Sequence, residues 1–185
     1  MNDSDLQIED LLSSPAGKEK KKKVDGKAKG DRTERGLCKL FTSHFGEEFT
    51  KAPFSGARTS QVQNLPEHAK MSMTGDLCVP EKFGWVVECK GGYESDIDLG
   101  NVIDGGGSPR LESFFSQSEG DAASCGRKPL VCWKRNRRPW IAAVRSCDLG
   151  DLEQSFSSKL DYNGWVLVGL EKLLAITDRS FWFKD

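Results

Sequence analysis

Three residues in the middle of the chain have the types and spacing for phosphate chemistry: Asp76, Glu88 and Lys90. They lie in the stretch Gly75 to Tyr93, GDLCVPEKFGWVVECKGGY, which reads as strand, turn, strand. Successive side chains of a strand point to opposite faces, so Glu88 and Lys90 share one face while Val87 and Cys89 share the other. The run from Phe83 is apolar up to Glu88, and the carboxylate and ammonium come together where the pattern turns polar. Antiparallel pairing of Gly84–Glu88 with Asp76–Val79 would bring Asp76 to Glu88. Two carboxylates beside a lysine make a place for a hard divalent cation with a positive group next to it.

Acid-x-Lys occurs three times: Glu19/Lys21, Asp25/Lys27 and Glu88/Lys90. The first two sit in a lysine-rich tail without apolar flanks and read as solvated charge. The third ends a buried-type strand and has a Gly-Asp strand upstream. A bare surface ion pair on an edge strand is the plain alternative for Glu88 and Lys90.

The pattern Gly-Asp, a short spacer, then Glu-Cys-Lys resembles the PD-(D/E)xK nuclease motif, with Gly75 where that motif usually has proline. A Glu-bearing helix before it and a Gln-bearing helix after it look like the archaeal Holliday junction resolvases and their phage relatives. The resemblance covers roughly Lys29 to Val144. It implies an α/β fold with a restriction-endonuclease-like core, a mixed, mainly antiparallel central sheet flanked by helices. It also implies that Asp76, Glu88, the Cys89 backbone carbonyl and Glu34 hold Mg²⁺, with Mn²⁺ able to substitute. Lys90 would then position the attacking water or stabilise the transition state, and Gln117 would support the site. The products would carry 5′-phosphate and 3′-hydroxyl ends.

The elements that must position these residues can be read from periodicity. Asp31 followed by Glu34 fits a capping box, and Leu37, Leu40, Phe41 and Phe45 recur at helical spacing, so a helix is expected over Arg32 to Phe45. Glu34 continues the core-facing stripe at its open end. Phe49 to Ala52 reads as a short strand. Ser55-Gly56 then resembles the resolvase loop whose serine approaches the scissile phosphate, which makes Ser55 and Arg58 candidate phosphate contacts. Gln61 to Thr74 reads as a loop, and His68 has no visible partner. Gly91 to Ser108 reads as an acidic, glycine-rich loop that could cover the site.

Arg110 to Ala123 reads as a helix with Leu111, Phe114 and Phe115 inward. Leu130 to Trp133 and Trp140 to Val144 read as strands joined by a basic turn of Lys134, Arg135, Arg137 and Arg138. That tip could lie on a DNA backbone, with its two flanking tryptophans stacking on exposed bases. Trp165 to Leu170 reads as a strand and Glu171 to Ile176 as a short helix. Phe181, Trp182 and Phe183 would either close the core or form a dimer seam.

The 185 residues suit one α/β domain with a tail: residues 1–30 as a disordered basic arm, 31–185 as the nuclease domain. The formal net charge of −1 gives no prior for nucleic acid, but its distribution does. Lys18 to Lys29 holds seven lysines, and Arg127 to Arg138 holds six basic residues and no acid, while acids gather from Asp76 to Asp104. Acidic pocket and basic flanks suit metal-assisted cleavage of a phosphodiester backbone.

The six cysteines contain no C-x-x-C pair and read as mostly buried, reduced thiols of an intracellular protein. Zinc held by Cys125, Cys132 and Cys147 fits no known spacing. Neither a secretory leader nor a membrane span is expected, and no nucleotide-binding glycine motif is present.

The reading favoured is a metal-dependent DNA endonuclease, foremost a Holliday junction or branched-DNA resolvase, acting as a homodimer in a bacterial or archaeal host and phage-encoded. A homing or restriction-like endonuclease is the alternative within the class. A catalytically silent DNA-binding protein on the same fold is the alternative outside it.

Overall fold

The computed structural model describes residues 26–53 and 73–184. Ser55, Gly56, Arg58, His68 and the tail as far as Asp25 lie outside the described residues. In chain order the elements are α1 (Gly26–Phe45), β1 (Thr50–Lys51), β2 (Leu77–Cys78), β3 (Trp85–Gly91), α2 (Leu99–Ile103) and α3 (Pro109–Cys125). There follow β4 (Lys128–Lys134), β5 (Trp140–Arg145), α4 (Ser146–Leu149), a 3-10 turn (Gly150–Ser155), β6 (Leu160–Tyr162), β7 (Trp165–Gly169), α5 (Leu170–Ile176) and α6 (Arg179–Trp182).

The main sheet runs β3-β4-β5-β7-β6. β3 and β4 are parallel, as the intervening α3 crossover requires, and every other pairing is antiparallel. This is the mixed, helix-flanked sheet of an α/β restriction-endonuclease-like fold. Both faces are covered, so its strands read as nearly continuous apolar runs. On one face Trp85, Val87, Cys89, Leu130, Cys132, Ala142, Val144, Val166 and Val168 pack with Leu37, Cys38 and Phe41 of α1. On the other, Val131, Trp133, Ala143, Trp165 and Leu167 pack with Leu111, Phe114 and Phe115 of α3. The two sets alternate along β4, β5 and β7, which is the period of two made visible.

Four expectations are corrected. First, α1 begins at Gly26 rather than Arg32, and Asp31 lies inside it and pairs with Lys51 instead of capping. Second, β2 pairs antiparallel with β1, Thr50 opposite Cys78, and not with β3. Third, the segment after Gly91 contains α2, capped by the Asp98 carboxylate, which accepts from the Gly100 and Asn101 N–H groups. Fourth, Trp133 and Trp140 are buried on opposite faces of the sheet, so neither can stack on a base. The terminal aromatics close the core: Trp182 stacks on Phe83 at 6.0 Å, and Phe183 meets Phe83 edge-on at 5.3 Å. Among the described residues no helix is long and apolar enough to cross a membrane.

Candidate active site

Asp76 reaches Glu88 by a route different from a hairpin. Its own N–H donates to the Val87 carbonyl at 2.9 Å, and its carbonyl accepts from the Ala52 N–H at 2.9 Å. A single backbone bond to β3 is enough, because Gly75 lets the chain lie against that strand. Gly75 has φ +89°, and a Cβ there would stand 2.8 Å from the Val87 carbonyl oxygen. Proline, fixed near φ −65°, cannot take that conformation. The replacement of the motif's usual proline by glycine therefore has a local physical cause.

The Asp76 carboxylate accepts a 2.8 Å hydrogen bond from the Cys89 N–H. N–H and C=O of one strand residue leave on the same edge. Val87 and Cys89 both bond to Asp76 there, so the Cys89 carbonyl faces the Asp76 edge as well. Glu88, 1% exposed, points to the α3 face and ion-pairs with Lys90. The Lys90 ammonium also donates to Gln117 Oε1 of α3 at 3.1 Å and lies 5.2 Å from the Phe114 ring centre. Asp76, Glu88, Lys90, Gln117 and the Cys89 backbone thus come together at the C-terminal end of β3.

The electrostatics are those of crowded carboxylates. Burial, and then the neighbouring Asp76 carboxylate, push Glu88 up to about 8. Burial also raises Asp76, against the opposing pull of the Cys89 N–H and of Lys90. Burial pulls Lys90 down, but the Glu88 carboxylate outweighs it, and the net direction is up. Among the described residues, the Lys90 ammonium apart, no donor meets either Glu88 oxygen. Two adjoining buried carboxyl groups, one met only by Lys90, and a carbonyl on the same edge fit a hard divalent cation with oxygen ligands.

Glu34 stands near enough to raise Asp76, but its carboxylate bonds to Lys51 at 3.0 Å. Among the described residues no three His, Cys, Asp or Glu side chains converge as a metal cluster, a zinc set of cysteines included. Lys51 was missed by sequence reading. It has no motif around it, and its place depends on β1 docking under β2. Asp121 of α3, whose charge also raises Glu88, was missed as well, although it lies one helical turn after Gln117.

The basic hairpin tip lies at the same end of the sheet, because β3 and β4 are parallel and Gly91 is level with Lys134. The tip is tied in place. The Lys134 ammonium donates to the Arg138 carbonyl at 2.7 Å, and the Asn136 N–H donates to Glu94. Arg137 and Arg138 are exposed, and Lys134 and Arg135 are half-buried against Trp140 and Trp133.

A family profile described as "Phage putative PDDEXK endonuclease" matches residues 25–171. The chain is similar to Protein D14 of Escherichia phage T5, with 28% identity over 129 residues that cover 68% of this chain and 74% of that protein. No solved structure matches it. The chain belongs to this phage PDDEXK endonuclease family, and it is a nuclease.

Proposed function

We propose, from that membership, that the chain is a Mg²⁺-dependent endodeoxyribonuclease whose site is Asp76, Glu88, Lys90 and Gln117. The observation that carries the reading is the meeting of two buried carboxyl groups with a lysine held by a glutamine at one strand end. Mg²⁺ held by Asp76, Glu88 and the Cys89 carbonyl would supply Lewis acidity toward the phosphate and toward a water nucleophile. The rest falls to the chain. The Cys89 N–H fixes the Asp76 carboxylate. Gln117 and Glu88 aim the Lys90 ammonium, which stabilises the negative charge that builds on the phosphorus oxygens as water adds. Glu34, held by Lys51, stands beside Asp76 and completes the acidic edge.

Lys134, Arg135, Arg137 and Arg138 would take phosphates on the flank of the site, and Ser55 and Arg58 would be further phosphate contacts. The preferred substrate is branched DNA, a Holliday junction foremost, cut by a homodimer because symmetric incision needs two sites. This finer reading draws on the Glu34 helix and the Ser55-Gly56 loop. The enzyme would act inside a bacterial or archaeal host, with the lysine-rich run Lys18 to Lys29 ahead of the nuclease domain as a further phosphate contact.

The test sets wild type beside Asp76→Asn on a four-way junction, linear duplex and single strand, each with Mg²⁺ or EDTA. Paired symmetric nicks on the junction, dependent on metal and lost in the variant, are expected. Cuts at fixed sites on linear duplex would move the assignment to a homing or restriction-like enzyme. Tight binding without cleavage would leave a silent DNA-binding protein.

A further inference from the structure

The tryptophans beside the basic tip are buried, yet one aromatic ring near Lys90 is not. Tyr93 is 37% exposed, three residues beyond Lys90 on the turn that leaves β3. Its φ is +65°, a conformation that a bulky non-glycine residue rarely takes and that persists only where surroundings hold it. They do so here. The Gly92 N–H donates to the Lys134 carbonyl at 2.9 Å, and the buried Trp133 indole donates to the Gly92 carbonyl at 2.6 Å. The Tyr93 carbonyl in turn accepts from the Asp96 and Ile97 N–H groups at 3.0 and 3.1 Å. The backbone is fixed at both sides of a ring that faces solvent.

The ring itself is braced by α3. Phe114 meets it at 5.2 Å in an edge-on arrangement, and the Arg110 guanidinium lies 5.4 Å from its centre. Arg110 is steadied by Asp96 at 3.4 Å. Phe114 is the same ring that carries the Lys90 ammonium at 5.2 Å. One phenylalanine therefore packs against both the Lys90 ammonium and an exposed tyrosine. Consecutive stacked nucleotides rise about 3.4 Å along a strand, so Tyr93 lies within a few nucleotides of the scissile phosphate. A rigid ring with a guanidinium beside it is the equipment with which proteins hold unpaired bases, which stack on aromatic faces irrespective of sequence. In intact duplex every base is already stacked on its neighbours and has no face to offer.

We propose that Tyr93, with Arg110 beside it, is a stacking platform for a nucleobase freed from pairing next to the scissile phosphate. The inference rests on the nuclease reading of the site and sharpens it: the substrate presents unpaired nucleotides at the cut, as a flap, a gap or a junction opened at its crossover does.

The test compares wild type, Tyr93→Phe and Tyr93→Gly. Glycine takes φ +65° without strain, so the ring is removed while the turn survives. Branched DNA carrying 2-aminopurine at its unpaired position gives a binding readout in EDTA, and the same DNA in Mg²⁺ gives KM and kcat. Wild type and Tyr93→Phe should quench the fluorophore, and Tyr93→Gly should not. In the glycine variant KM for branched DNA should rise about tenfold, the scale of one lost base stack, with a smaller change in kcat and a smaller loss on fully paired duplex. Equal quenching and equal KM in wild type and Tyr93→Gly, on a wild type that cuts DNA, would overturn the platform. A wild type that neither binds nor cuts any of these DNAs would overturn the nuclease reading itself, and this inference with it.

Discussion

The two ends of β3 make opposite use of burial. At the N-terminal end Phe83 and Trp85 are packed among Phe41, Phe45, Phe49, Trp182 and Phe183, ring against ring at 5.0–6.2 Å. At the C-terminal end Glu88 is as deeply buried, but among charges, with Lys90 as its ion-pair partner and a pKa pushed up to about 8. One end gains stability from what it buries, while at the other burial disfavours the charged carboxyl groups. The proposed site lies at the end where burial is unfavourable.

The largest expected effect on folding is at the aromatic end. Trp182→Ala should cost about 3–5 kcal/mol by denaturant unfolding. The cleavage rate per folded molecule should stay within about twofold of wild type. If the rate collapsed in a still-folded variant, the two ends would not be separable. Glu88→Gln should behave in the opposite way. Its cleavage rate should fall by about 10²–10³-fold, the scale for losing one charge-stabilising group. The Tm of its metal-free form should hold, since burial disfavours the ionised Glu88 by more than Lys90 favours it, and glutamine stands in for the neutral form.

The same residue gives the comparison a pH signature. Glu88 has a folded pKa raised above its unfolded value near 4.5, so its contribution to stability is fully present below pH 4.5. That contribution is lost as pH rises toward about 8, where the folded carboxyl must ionise. Metal-free wild type should therefore lose Tm between pH 5 and pH 8, and Glu88→Gln should lose less. Scanning calorimetry across that range checks it.

Gly75→Pro restores the residue that the motif usually carries, yet it should destabilise by more than about 1 kcal/mol, because proline cannot adopt φ +89°. A neutral outcome would mean that Asp76 is held by something other than its backbone bond to β3. The smallest expected effect is that of Gln117→Ala. It leaves Lys90 with Glu88 as partner, so the rate should fall about tenfold, as when an outer partner of a site residue is lost. Steady-state kinetics on one DNA substrate reads it.

What could be read in the sequence follows the same division. Asp76, Glu88 and Lys90 were legible because each sits at the edge of an apolar strand, where period two assigns a face. Gln117 came from the family resemblance alone, since by spacing a glutamine on a helix reads as solvated. The start of α1 was not legible. Asp31 and Glu34 have the spacing of a capping box, and nothing local says that Lys51, arriving with β1, will claim both carboxylates. The partner of β2 was misjudged for the same reason, since a turn at Pro80-Glu81 suggests a hairpin while the long-range strand β1 wins the pairing. Trp133 and Trp140 flank a charged turn and look available, but a sheet covered on both faces buries whatever lies on either side. The pieces α2, α4 and β6 are too short to leave a periodic trace.

The central claim is that the two buried carboxyl groups hold a divalent ion used to cut DNA. Its most direct test is cleavage of end-labelled branched DNA by wild type and Glu88→Gln, titrated with Mg²⁺ and then quenched with EDTA. The account predicts a saturable rise in the wild-type rate with Mg²⁺, abolished by EDTA, and a variant at least about a hundredfold slower at every concentration. Equal rates in both proteins, or cleavage that persists in EDTA, would contradict it.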